Sequence, residues 1–197
     1  MKKKGTASKK GNSILKRSSN VLNIKGMVFA ALFAALTAAV SPIKIPLGFT
    51  PVPITLQTMM VLLAGALLGS RLGALSQILY LAVGALGLPV FAGGSSGLGV
   101  LFGPTGGYLF SYPFAAFAVG FLIERIQKKT YGKFISPMIV GSLIIYVFGV
   151  IGGLLATDLP FIQILGGWVL PFLIGDFIKL LIAAAIALKF NMKRYLS

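Results

Sequence analysis

Six apolar stretches, most of them about 20 residues long, recur along this chain of 197 residues: 25–43, 55–68, 72–88, 106–126, 135–156 and 168–188, the second being short and sharing residues with the loop before it. A helix rises 1.5 Å per residue, so a run of about 20 apolar residues crosses a ~30 Å hydrocarbon layer. A large soluble core does not require such runs, and it tolerates more charge: soluble domains are about 25% charged. Here 11% of residues are charged, 57% are hydrophobic, and mean hydropathy is +0.95. The expectation is an all-α integral membrane protein with six transmembrane helices. Residues 1–24 are basic, rich in Ser and Gly, and lack an apolar period; they read as a flexible cytoplasmic tail ahead of a membrane domain over 25–197. A cleaved signal peptide fits less well, because its apolar core is usually shorter and richer in Leu.

The net charge of +15 raises a nucleic-acid reading, which the placement of the charges excludes. The basic residues sit in the tail or flank apolar stretches, and no basic face is interleaved with exposed aromatics. Topogenic charge and attraction to anionic lipid explain them. Counted on that rule with the N-terminus inside, the inner segments hold sixteen of the 18 Lys and Arg residues: eight from Lys2 to Lys25, then Arg71, Arg125, Lys128, Lys129, Lys133, Lys189, Lys193 and Arg194. The outer side holds Lys44 alone, and Lys179 lies within a span. Both termini are therefore expected in the cytoplasm.

Cysteine and histidine are both absent, and the acids number three, Glu124, Asp158 and Asp176. Disulfides, thiolate metal sites, haem ligation and His-based acid–base chemistry are excluded. An enzyme would lack a nucleophile–base set.

Asp176 and Lys179 lie at membrane depth in the last apolar stretch. A charge there costs roughly 2.5–3.5 kcal/mol on insertion scales, so it marks a functional site by default. Three residues apart on a helix, the two share a face. One reading is a self-neutralising pair that joins helices. The other is a site for a small polar group with both donors and acceptors, since a carboxylate accepts and an ammonium donates. Gln57 and Gln77 are further polar residues in or near spans, each able to bridge helices or meet a ligand. Glu124, beside Arg125, reads as interfacial, and Asp158 as facing water.

The outer loops are 44–54, 89–105 and 157–167. The first two are apolar and rich in Pro and Gly, which suits loops folded over something. The glycines from Gly97 to Gly107 resemble a phosphate loop superficially, but no Gly-Lys-Ser/Thr follows. A capping or re-entrant loop fits better, with Thr105 and Tyr108 where the fourth span begins. In the first span Ala30, Ala34 and Ala38 form one small-residue row, and Ala31, Ala35 and Ala39 form its neighbour. Such rows permit close helix approach, either within the protein or against another membrane protein.

Four stretches carry a resemblance: PVPITLQT at 51–58, GLPVFAGG at 87–94, GPTGGYL at 103–109 and GDFIKL at 175–180. In this order, on six spans, they resemble the BioY family, the biotin-specific substrate-binding (S) components of energy-coupling factor (ECF) transporters, over about residues 25–188. The resemblance implies the six-helix ECF S-component fold in a bacterial cell membrane. It implies capture of biotin from outside and delivery with a transmembrane coupling subunit and two cytosolic ATPases, the S component toppling as it docks. It implies no cofactor; biotin is the transported ligand. Asp176 would accept from the ureido N–H groups and Lys179 donate to the ureido carbonyl, an alternative pose pairing Lys179 with the valerate carboxylate. Phe91, Tyr108, Thr105 and the glycines Gly93, Gly97 and Gly107 would wall the ring system. Some relatives place an amide in the loop after the third span, where this chain has Ala92 to Ser96; a backbone group, a serine or Gln77 would replace it. The two alanine rows would dock the coupling subunit. The rival readings are an S component for another vitamin, such as thiamine or riboflavin, and a stand-alone secondary transporter.

Overall fold

The computed structural model describes residues 24–127 and 130–190; the expected tail lies almost wholly outside them. Each expected span contains a helix. The first is α1, Ile24–Val40, followed by a short antiparallel ribbon of β1, Lys44–Ile45, and β2, Ile54–Thr55, in which Lys44 faces Thr55. Next come α2, Gln57–Leu68, and α3, Ser70–Ala85. A loop containing a 3₁₀ turn at Ala92–Gly94 and the short α4, Leu98–Leu101, leads into α5, Gly106–Glu124. Then follow α6, Tyr131–Ala156, α7, Phe161–Trp168, a 3₁₀ turn at Leu170–Phe172, and α8, Leu173–Lys189.

By length and apolarity, three stretches can cross a membrane: Gly106–Glu124, Tyr131–Ala156 and Phe161–Lys189. Helices α1 and α2 are apolar but shorter. At 17 residues α1 rises about 25 Å, and at 12 residues α2 rises about 18 Å. Large apolar side chains stand exposed along the outside, among them Phe114, Phe117, Leu143, Val147 and Ile151. A band that size is unfavourable in water and suits contact with lipid.

Small residues set the packing at the centre, where van der Waals fit drives association in lipid. Gly107 of α5 meets Gly152 of α6 so closely that a Cβ on either would strike the other backbone. Gly65 of α2 lies against the Ala116 carbonyl of α5 and beside Gly73 of α3. Helices α2 and α3 are joined by the single residue Gly69, whose φ of 87° lies in the left-handed region. The Glu124 carboxylate accepts from the Ser70 N–H at 2.8 Å and from the Ser70 hydroxyl, so α5 caps the start of α3. Glu124, expected merely at the interface, has this role as well.

Two apolar clusters form the core. One contains Leu62, Leu67, Val119, Phe134, Met138, Leu180 and Ala184. The other contains Val52, Tyr80, Phe91, Tyr108, Tyr112, Trp168 and Phe172, and four of its aromatics, Phe91, Tyr108, Tyr112 and Phe172, line a cavity. Two features depart from the sequence reading. The expected loop over 157–167 holds α7, because Ile164 and Trp168, one turn apart, pack inward while Phe161 and Ile162 face out. The expected unbroken span over 168–188 is interrupted at Val169, where ψ is −59° and φ −122°, with Pro171 in the 3₁₀ turn that follows.

Candidate ligand site beneath the loops

That interruption sets the position of the intramembrane acid. Because α8 restarts at Leu173, Asp176 lies in the first turn of a helix rather than in the middle of one. Its charge is favoured there by the positive end of the helix dipole. Lys179 follows one turn on, and its Nζ lies 2.7 Å from Asp176 Oδ1. Neither side chain is free in water; they are 15% and 13% exposed.

The pair is anchored to three other elements. Tyr146 of α6 donates its phenol to Asp176 Oδ2 at 2.6 Å. Thr58 of α2 donates to Oδ1 at the long distance of 3.5 Å. Lys179 donates to the Thr55 carbonyl of β2 at 2.7 Å. A carboxylate offers about four acceptor positions and an ammonium three donors. Three of the former and two of the latter are occupied. About one acceptor and one donor therefore remain side by side, on residues that both line the cavity.

The cavity measures about 450 Å³, within the range of small-ligand sites. Its walls come from the 51–58 stretch, the loop before α5, and helices α5, α6 and α8. Phe91 is fully buried, its ring occupying the space a side chain at Gly84 would need. Tyr80 stands edge-on to Phe91 at 5.7 Å and stacks with Tyr112 at 6.4 Å. Tyr108 packs its ring on Gly149 and donates to the Trp168 carbonyl at 2.6 Å.

A second polar group lies behind the ribbon. Buried Gln57 donates to Ser41 Oγ at 2.9 Å and to the Tyr80 hydroxyl, and receives Thr55 Oγ1 at 3.1 Å. Tyr80 in turn donates to the Val90 carbonyl at 3.0 Å. One buried network thus ties the end of α1, the start of α2, and the loop over the cavity. Buried polar groups need such partners.

Of the residues singled out from sequence, Asp176, Lys179, Phe91, Gly93, Thr105 and Tyr108 line the cavity together. Three do not. Gln77 is fully buried between α3 and α1, donating to Thr37 Oγ1 at 3.4 Å and Ser76 Oγ at 3.1 Å. Gly107 serves the contact of α5 with α6, and Gly97, with φ of 89°, turns the loop so that its N–H reaches the Gly84 carbonyl. The alanine rows also divide. Ala30 and Ala34 are buried and Ala38 half-buried, so that row packs inside the protein, while Ala31, Ala35 and Ala39 face outward.

Sequence reasoning missed Tyr146, Thr58, Tyr112 and Lys44 as cavity residues. Tyr146 had a signal, a phenol deep in the fifth span. Gln77 is the amide that the sequence reading favours for the ligand, but the structure puts Gln57 on the cavity wall and leaves Gln77 off it.

The BioY family model matches residues 11–195. The chain is 37% identical to the biotin transporter BioY of Rhizobium etli, over 83% of this chain and 91% of that one. It is 40% identical to the biotin transporter BioY of Thermotoga maritima, over 84% and 95%. Among solved structures it is similar to the S-component for biotin from an ECF-type ABC transporter, with a TM-score of 0.81 and 28% identity over 88% of this chain and 96% of the other.

Proposed function

This chain belongs to the BioY family, and from that premise we propose that it captures biotin at the outer face of the membrane as the S component of an ECF-type transporter. It is a multi-pass membrane protein and a transporter subunit, not an enzyme. Its partners are biotin, the ECF coupling subunit and the ATPases that drive it.

The observation that carries the reading is the anchored pair. Biotin's ureido group offers N–H donors and a carbonyl acceptor with no net charge. Asp176 and Lys179 keep about one acceptor and one donor unoccupied on the cavity wall. Asp176 takes a ureido N–H and Lys179 donates to the ureido carbonyl, while Phe91, Tyr108 and Tyr112 hold the ring system. Gln57 lines the cavity where Gln77 does not, and with both its N–H groups committed to Ser41 and Tyr80 it offers a ligand the remaining acceptor position of Oε1.

Residues 25–197 form the membrane domain with six crossings, the break before α8 lying within the sixth, and residues 1–24 form a cytoplasmic tail. Charge placement supports both termini inside. The coupling subunit docks on the outward row of α1, Ala31, Ala35 and Ala39, whose exposure leaves it open to a second helix. Equilibrium binding of biotin to the purified chain, with thiamine and riboflavin as controls, tests the assignment: biotin alone binds. A folded protein that takes another of these vitamins instead contradicts it.

A further inference from the structure

A second, smaller cavity of about 10 Å³ lies between α2, α6 and α8. Thr58, Tyr146, Asp176 and Lys179 border both cavities, while Leu62 and Ser142 border the smaller one alone. Leu62 comes one turn after Thr58 on α2, and Ser142 one turn before Tyr146 on α6. Helix α2 starts at the loop end and α6 finishes there, so both steps lead away from the loops. The smaller cavity therefore lies deeper in the bundle than the ligand cavity.

Its wall is short of donors. Tyr146 and Thr58 each direct their single O–H to Asp176, at 2.6 and 3.5 Å. Both oxygens then have acceptor positions only. Ser142 has the opposite need. It is half-buried at membrane depth and, among the described residues, has no hydrogen-bond partner. Thr37 and Thr157 return their hydroxyls to the carbonyl one turn earlier, whereas Ser142 does not. A hydroxyl at that depth needs a partner. The group that satisfies this wall gives two donors, to Tyr146 Oη and Thr58 Oγ1, and accepts one proton from Ser142 Oγ. It is small and uncharged, because the Lys179 ammonium borders the cavity and disfavours a cation. A water molecule has this valence, and about 10 Å³ is the scale of a single one.

We propose that the smaller cavity is a site for one structural water and that Ser142, which holds it, is a positioning residue for the ligand pair. The water accepts from Ser142 and donates to Tyr146 and Thr58, keeping the O–H groups of both aimed at Asp176. Hydrogen bonds in such a chain strengthen one another. The last acceptor position of Asp176 and the last N–H of Lys179 stay open to the ligand. The site itself is independent of the ligand's identity; its effect on affinity rests on the biotin reading above.

Two measurements test it on the full chain. A crystal structure that resolves ordered waters shows one within hydrogen-bonding distance of Ser142 Oγ, Thr58 Oγ1 and Tyr146 Oη. Equilibrium binding in detergent then compares wild type, Ser142→Ala, Tyr146→Phe and the double variant. Ser142→Ala weakens biotin binding about fivefold, the scale of one neutral hydrogen bond. In the Tyr146→Phe background the same change has less than a twofold effect, because the group through which the water acts is gone. No water at that position in a structure that shows others, an unchanged affinity in Ser142→Ala, or the same fivefold loss in both backgrounds overturns the proposal. A folded wild type that binds no biotin overturns the biotin reading instead, and the crystal structure alone then decides the water site.

Discussion

Asp176 shows how a costly residue is retained at membrane depth. It lies in the first turn of α8, accepts Tyr146 at 2.6 Å and Lys179 at 2.7 Å, and is 15% exposed. A lone charge there is expensive, whereas one held by dipole, phenol and ammonium is not. Tyr146 acts through Asp176 and is a positioning residue. Removing its hydroxyl frees Oδ2 and lets the carboxylate turn, so Tyr146→Phe weakens biotin binding about tenfold, the cost of one hydrogen bond to a charged group. The α5–α6 contact through Gly107 and Gly152 is untouched, so the protein still folds and the melting temperature falls by only the few degrees that one hydrogen bond represents. Titration calorimetry with a melting curve measures both, and unaltered affinity contradicts the role. Asp176 and Lys179 were legible because charge at membrane depth is rare. Tyr146 was not, because a tyrosine in an apolar run is as easily an interfacial anchor.

At the scale of elements, α1 presents two faces one residue apart. Ala30 and Ala34 pack against the rest of the bundle, and Ala31, Ala35 and Ala39 face outward. A sequence pattern of small residues at every fourth position reveals that close approach is possible but not on which side. Two substitutions separate the faces. Ala35→Trp leaves biotin binding to the purified chain intact and reduces uptake in cells carrying the ECF module at least tenfold, because it blocks docking of a second helix. Ala34→Trp overpacks the interior, costing about 1–3 kcal/mol, and lowers the melting temperature. Full uptake by Ala35→Trp contradicts the docking face. The elements themselves were largely legible from their apolar runs. The break at Val169 and the helix α7 were not, since both are built from apolar residues and leave hydropathy unchanged. The ribbon of β1 and β2, two residues a strand, is too short for any period to show.

For the whole molecule, the cavity, the loops over it and Lys44 lie at one end, and the Glu124–Ser70 cap lies at the other end of α5. The proposed orientation puts that second end in the cytoplasm, on the excess of basic residues. The absence of cysteine from the sequence makes the orientation directly measurable. A cysteine at Gly48, in the open loop between the strands where nothing lies within 4 Å, reacts with a membrane-impermeant maleimide on intact cells, and one at Ser197 reacts after lysis alone. The reverse pattern contradicts the orientation. The most direct measurement of the central claim, that the Asp176–Lys179 pair holds biotin, is titration of biotin into the purified wild type and Asp176→Asn. The account predicts one site per chain and an affinity loss of at least about tenfold in the variant, which forfeits a charged acceptor. Undiminished affinity in a folded Asp176→Asn protein would contradict it, leaving the pair as a joint between helices.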